Sequence, residues 1–256
     1  MKIAVAVRTC GQVFHWWNDP DRIVNVSKPS LVLTSLNSLC RTIKNSKHDI
    51  ILSIHDDNSG EQFLSSLDQL IKFYSIEYQL IQTEPKGNCI SQYNWLKQQH
   101  CDYVYLMEDD YLHTEHGLDT MLNACEYMQE FEPNDLGGYA VFPMNHPHRY
   151  RKNFIYSSYI FIIDNRYWRS ITHTSASFFI SKKDFTTYDE YMRINAYSWS
   201  ERVEEDKAIN LFWNMGKVRL LCPINSLAWH IADKTHEDKI NDWKSVWDQN
   251  FVEYKI

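Results

Sequence analysis

The first half of the chain alternates short, continuous apolar runs with longer stretches of helical spacing. Lys2 to Val7, Asp49 to Ile54 and Tyr103 to Met107 are the apolar runs, and Glu77 to Ile81 reads as a further strand between the last two. Runs this short, without polar alternation, suit strands covered on both faces. Between them, Leu31, Leu33, Leu36, Leu39 and Ile43 trace a helical stripe opened by Pro29. Phe63, Leu64, Leu67, Leu70 and Ile71 trace a second stripe within Glu61 to Phe73. Ile90 to Gln99 reads as a third helix, and Leu118, Met121, Leu122, Cys125 and Met128 mark a fourth. A strand followed by a helix, four times over, predicts an α/β fold with a mainly parallel sheet and right-handed crossovers.

After Gly137-Gly138 the rhythm changes. Tyr139 to Phe142, Ile155 to Ile163 and Ser175 to Ile180 read as strands of a more mixed region. A basic and aromatic stretch lies among them, with Arg149, Arg151, Arg166 and Arg169 and only Asp164 as an acid between His146 and Ser170. Ser198 to Met215 reads as a helix with Ser198 and Glu201 as a capping box and Gly216 closing it. Val218 to Cys222 and Ser226 to His230 read as strands, and the tail carrying Trp243, Trp247 and Phe251 as a packing helix. No repeat, low-complexity segment or linker divides the 256 residues, which favours one domain.

Composition narrows the class. Six cysteines without a CxxC pair, several in apolar contexts, read as reduced thiols of a cytoplasmic protein. Met1 to Val7 is too short and too soon ended by Arg8 for a signal peptide, and no run reaches transmembrane length. A net charge of −7 argues against broad coating of nucleic acid.

The candidate chemistry is carboxylate. The second strand runs into His55-Asp56-Asp57-Asn58-Ser59-Gly60, and the fourth into Glu108-Asp109-Asp110. In an open α/β sheet the carboxyl ends of the strands face the ligand crevice, and clustered carboxylates there need a cation or hydrogen-bond donors. Two plainer readings compete: an Asx-turn at Asp56-Asp57, and an N-cap cluster at Glu108 to Asp110. No glycine-rich phosphate loop is present. A sheet that holds phosphates through acids needs a bridging Mn²⁺ or Mg²⁺, which points to a nucleoside diphosphate derivative.

These pieces, in order, resemble the family 2 glycosyltransferases of the GT-A fold. The resemblance runs from Lys2 to His230. It rests on Val5-Ala6-Val7-Arg8-Thr9, on His55-Asp56-Asp57-Asn58-Ser59, and on Leu106-Met107-Glu108-Asp109-Asp110 as the D-x-D variant. Glu205-Asp206 through Gly216, then Val218 to Pro223, then Trp229-His230 complete it. The chain departs from the pattern with Glu108 leading the D-x-D, Asn58 in place of a glycine, and Ser91-Gln92-Tyr93-Asn94 before the fourth strand.

The resemblance implies a nucleotide-sugar half over about residues 1–136 and an acceptor half over about 137–256. It implies that Thr9 and Asp57 line a nucleoside pocket with Asp56 adjacent, and that Glu108 or Asp109 reaches the ribose or sugar. Asp110 would bind the metal, with His230 as a second metal or diphosphate contact. Asp206 would be the general base toward an acceptor hydroxyl, with inversion at the anomeric carbon and Glu205 as runner-up. Lys86 would overlie the donor, and Arg149, Arg151, Arg166 and Arg169 would face the diphosphate or a charged acceptor. The implied partners are a nucleotide sugar, UDP-linked by preference, and a glycan or other hydroxyl acceptor, with a hydroxylated DNA base ranked below these. The rival readings are a sugar-nucleotide nucleotidyltransferase, which calls for a glycine-rich loop with arginine after the first strand, and a non-catalytic carbohydrate- or nucleotide-binding module.

Overall fold

A computed structural model describes residues 1–12, 24, 26–132, 137–145, 158–174, 177–201, 209–231 and 240–255. The first half follows the predicted order: β1 (Lys2–Thr9), α1 (Lys28–Asn45), β2 (Asp49–Asp57), α2 (Glu61–Phe73), β3 (Tyr78–Thr83), α3 (Asn88–Gln98) and β4 (Tyr103–Met107). β5 (Tyr111–His113) and α4 (Gly117–Phe131) follow. The second half adds β6 (Tyr139–Val141), β7 (Ile160–Ile163), β8 (Arg166–Ile171), β9 (Phe178–Ser181), α5 (Lys182–Thr187), α6 (Asp189–Glu201), α7 (Ile209–Asn214), β10 (Arg219–Pro223), β11 (Ala228–His230) and α8 (Trp243–Asn250).

Nine strands from both halves form one sheet in the order β3-β2-β1-β4-β9-β6-β10-β8-β7. β3, β2, β1 and β4 are parallel neighbours, whereas β9 runs against β4 and β6, and β8 against β10 and β7. Ile3 to Val7 and Val104 to Met107 are almost wholly inaccessible, as strands covered on both faces must be. Leu31, Leu36, Leu39, Leu67 and Ile71 from α1 and α2 pack into the same core. α1 starts cleanly because Ser27 accepts from the Ser30 N–H at 3.3 Å and Pro29 occupies its first turn.

Three expectations are corrected. Arg166 and Arg169, placed in the basic stretch among the expected strands, lie on a strand themselves, β8. Asp164 and Asn165 take φ +48° and +59° between β7 and β8, a type I′ arrangement that their residue types tolerate. That two-residue turn was the sequence signal for a hairpin here. Among the described residues of the predicted strand 155–163, only Ile160–Ile163 is strand. Ser198 lies within α6, so it does not cap the helix that follows, and α7 begins its described part at Ile209. Gly216 does close α7, with φ +66° and its N–H on the Trp213 carbonyl at 3.1 Å. No described helix is long and apolar enough to cross a membrane.

Candidate active site

The parallel register sets Thr9 opposite Asp56 and Val7 opposite Met107. The residues after Met107 therefore emerge at the level of Arg8, Thr9 and Asp56. The two acidic strand ends meet there, and they are built differently.

Asp56 is fully buried and saturated. Its Oδ1 accepts from Thr9 Oγ1 at 2.9 Å and from Ser59 Oγ at 2.7 Å, and its Oδ2 accepts from the Ser59 N–H at 2.7 Å. Asp56 thus bonds the backbone three residues on and closes the β2–α2 connection with its own side chain. Asp57 is half-buried, and its Oδ1 accepts from the Lys86 N–H at 3.0 Å. Burial pushes its carboxyl up, and the Lys86 N–H pulls the other way. Lys86 takes φ +67°, a conformation that lysine rarely adopts, so this loop is held by its contacts. Lys86 thus meets Asp57 through its backbone and keeps its side chain exposed.

The second strand end is open. Glu108 donates its N–H to Ser177 Oγ at 3.2 Å, and Asp109 Oδ2 accepts from the Cys10 N–H at 2.8 Å. β5 and β11 pair antiparallel with His230 opposite Tyr111, and the Ile231 N–H bonds the Asp110 carbonyl at 2.9 Å. That small sheet carries His230 Nε2 to 3.0 Å from Asp110 Oδ2. One ligand atom each from Glu108, Asp110 and His230 lie within 4.8 Å of one another. Glu108 Oε1 is paired with Arg8, but Glu108 Oε2 and Asp110 Oδ1 are buried with no hydrogen-bond partner among the described residues. A buried carboxylate oxygen left unpaired is costly. Two such oxygens beside an imidazole make a donor set that fits Mn²⁺ or Mg²⁺.

Electrostatics agree with that fit. Burial opposes a charge on His230, yet Asp110 outweighs it and holds the imidazole up to about 9. Burial likewise pushes Asp110 up, and His230 outweighs it, so its carboxyl lies below the usual range. Asp109 is pushed up by burial, against the pull of Lys28 and with the help of Asp110. A cation would take the place of the imidazole proton, because only neutral histidine ligates metal.

Two cations of the site were not singled out from the sequence. Arg8 donates to Glu108 and, at 2.6 Å, to Cys89 Sγ in the first turn of α3. Burial opposes its charge, and Cys89 and Glu108 more than restore it. Lys28 opens α1 while only 6% exposed, with no acid in that first turn. A lysine there works against the helix dipole, and that mismatch was the available signal; its charge draws down Asp57, Asp109 and Asp110.

Arg166 donates to the Asn225 carbonyl at 3.0 Å, and Arg169, 5% exposed, donates from Nε to Asn145 Oδ1 at 3.0 Å. Asp206, Glu205, Arg149 and Arg151 lie outside the described residues. A cavity of about 530 Å³ lies at the opposite end of the sheet, lined by Tyr103, Glu126, Lys182 and Asp184. It is remote from the carboxyl ends of β1, β2 and β4, where the charged groups converge.

No protein-family model and no curated protein matches this sequence. Solved structures match by architecture. The S. aureus TarS 1-349 structure in complex with UDP aligns with a TM-score of 0.50 and 15% identity, covering 86% of this chain and 57% of that one. The fold is GT-A. A Bacillus anthracis protein assigned as a glucose-1-phosphate thymidylyltransferase, in complex with a sucrose, shares the layout with a TM-score of 0.52 and 10% identity, over 99% of this chain and 98% of that one. This chain spans 34% of one TarS structure and 58% of TarS 1-349. At such identities the GT-A likeness is one of architecture alone.

Proposed function

We propose that this protein is a metal-dependent glycosyltransferase, which moves a sugar from a nucleotide-sugar donor to an acceptor hydroxyl with inversion. The observation that carries the reading is the Glu108–Asp110–His230 group with its two unpartnered buried oxygens. It lies at the carboxyl end of β4, where an open α/β sheet takes its ligand. TarS in complex with UDP supports UDP as the nucleotide. The chain acts as one unit over residues 1–256, with the donor on the side of about 1–136 and the acceptor on the side of about 137–256.

Asp110, Glu108 and His230 would hold Mn²⁺ or Mg²⁺. Bound there, the cation offsets the charge that develops on the leaving diphosphate. Asp57 and the Lys86 loop border the nucleoside, while Thr9 and Asp56 shape that border through their mutual bond. Asp109, fixed by the Cys10 N–H, faces the ribose or sugar. Asp206 accepts the proton of the attacking hydroxyl as the C–O bond to the anomeric carbon forms and the bond to the diphosphate breaks; Glu205 is the runner-up. Arg166 and Arg169, with Arg149 and Arg151, belong to the acceptor side. A saccharide or lipid-linked glycan is preferred as acceptor over a hydroxylated DNA base, given the net charge of −7.

A nucleotidyltransferase is the second reading, favoured by the near full-length alignment with the thymidylyltransferase-like structure. Against it, the residues after β1, Cys10-Gly11-Gln12, do not form a glycine-rich loop with arginine. Incubating the protein with a panel of nucleotide sugars and Mn²⁺ tests both. Slow, metal-dependent release of nucleoside diphosphate is the expected result. Turnover that requires pyrophosphate would favour the nucleotidyltransferase, and no turnover or binding of any donor would refute the glycosyltransferase reading.

A further inference from the structure

Glu108 has one buried oxygen without a hydrogen-bond partner among the described residues, and the other is already held by a cation of the chain. Arg8, whose side chain is 12% exposed, forms that ion pair and also reaches Cys89 Sγ at 2.6 Å. Its place is fixed from two sides. β1 sets Arg8 one residue past Val7, which pairs with Met107, and α3 clamps the same level through Gln92 Nε2, which donates to the Met107 carbonyl at 2.9 Å. A permanently charged guanidinium bound to a metal ligand has two opposing effects. It neutralises Glu108 while no other cation is present, and it repels any divalent cation that comes to the same carboxylate.

We propose that Arg8, held on the Glu108 carboxylate, opposes a divalent cation at the same group, so that the protein alone binds the cation weakly and takes it up together with an anionic substrate. The inference rests on the reading of Glu108, Asp110 and His230 as the cation site and adds to it an order of assembly. With Arg8 on Glu108, one carboxylate of the site is already neutralised by the chain. A nucleoside diphosphate brings both extra oxygen ligands and negative charge, which offset the guanidinium and favour uptake of the cation. The cation is then a companion of the donor, not a resident of the fold, and Arg8 couples the two binding events.

The test is Mn²⁺ titration of the whole chain, followed by electron paramagnetic resonance, with and without UDP. The proteins are wild type, Arg8→Met, Arg8→Lys and Arg8→Met in a Glu108→Gln background, with thermal melts to establish folding. Arg8→Met should bind Mn²⁺ alone about 10-fold more tightly than wild type, a sign opposite to that of a structural lesion. Arg8→Lys should stay near wild type, and the gain should shrink when Glu108 is Gln. UDP should tighten Mn²⁺ binding by about 10-fold or more in wild type, and by less in Arg8→Met.

Equal or weaker Mn²⁺ binding by folded Arg8→Met would overturn the proposal, as would a gain of the same size without the Glu108 carboxylate. If Arg8→Met does not fold, Arg8→Gln carries the same comparison. A wild-type protein that binds no Mn²⁺ with or without UDP would remove the cation site itself. That outcome is distinct from a site that binds Mn²⁺ but ignores Arg8.

Discussion

Two acidic strand ends lie at one level of the sheet, and their chemistry differs. At the end of β2, the Asp56 carboxylate receives three hydrogen bonds from Thr9 and Ser59 and is sealed from solvent. Past the end of β4, Glu108 and Asp110 each keep a buried oxygen without a hydrogen-bond partner among the described residues, next to His230. The residue types are the same, so type alone does not separate a structural acid from a ligand-binding one. Saturation does. A carboxylate whose acceptor sites are filled by its own loop stabilises that loop, whereas one held with an open oxygen is stable only if something else completes it.

Substitution at each end should give opposite signatures. Asp110→Ala has the largest expected effect: loss of metal-dependent donor binding and transfer, beyond the roughly 10–100-fold that removing a residue behind a metal ligand costs. Its melting temperature should fall less than that of Asp56→Ala, since the unsatisfied Oδ1 is removed together with the Oδ2 contact to His230. Isothermal titration with Mn²⁺ and UDP reads this, and wild-type turnover in that variant would end the metal reading. Asp56→Ala should do the reverse. It strands the Thr9 and Ser59 donors and should cost about 3 kcal/mol in urea unfolding. Mn²⁺ affinity should change little at a temperature where the variant is folded.

The closed side also carries a pH signature. His55, buried next to Asp56 on β2, is bonded through Nε2 to Ser53 Oγ at 2.9 Å and through Nδ1 to Ser91 Oγ at 2.8 Å, and burial pushes it down to about 4. His113 on β5, bonded to the Tyr105 hydroxyl at 2.9 Å, is pushed down to about 4 by the same cause. Both are neutral in the fold, while the unfolded chain binds their protons from pH about 6.5 downward. Stability should therefore be intact above pH 6.5 and decline as pH falls toward 4, by on the order of 3 kcal/mol per histidine at most. Urea unfolding at pH 7 and pH 4.5 measures the difference. His55→Gln should flatten its own share of the slope, and an unchanged slope in that variant would show that another group sets it. The smallest expected effect is Ser59→Ala, which removes one donor to Asp56 and leaves the Ser59 N–H in place. A loss of about 1 kcal/mol is expected, with no change in Mn²⁺ affinity.

Much of the architecture was legible because it is written in local pattern. Apolar runs of strand length, the stripes of α1 and α2, and the carboxylates after β2 and β4 are all properties of contiguous residues. The hairpin of β7 and β8 is hard to read in the sequence because its arginines and aromatics form a charged stretch, while the Asp164-Asn165 turn that shapes it is only two residues long. Arg8 and Lys28 are inconspicuous in the sequence for a similar reason. Arg8 ends an apolar run without any sign of a buried cation, and Lys28 precedes a proline, with its mismatch to the helix dipole as the one signal.

The amino-acid sequence by itself determined the alternation of strands and helices in the first half, the parallel pairing of those strands, and which strands end in acids, because periodicity and turn chemistry act over a few residues. The tertiary structure alone decided what those acids do. Asp56 is saturated only because β1 brings Thr9 alongside it, 47 positions away. Glu108 is paired only because the same strand delivers Arg8 from 100 positions away. Asp110 meets His230 because β5 and β11 form a separate two-stranded sheet at that level. Long-range pairings of this kind depend on how the whole core packs, and no local pattern in the chain specifies them.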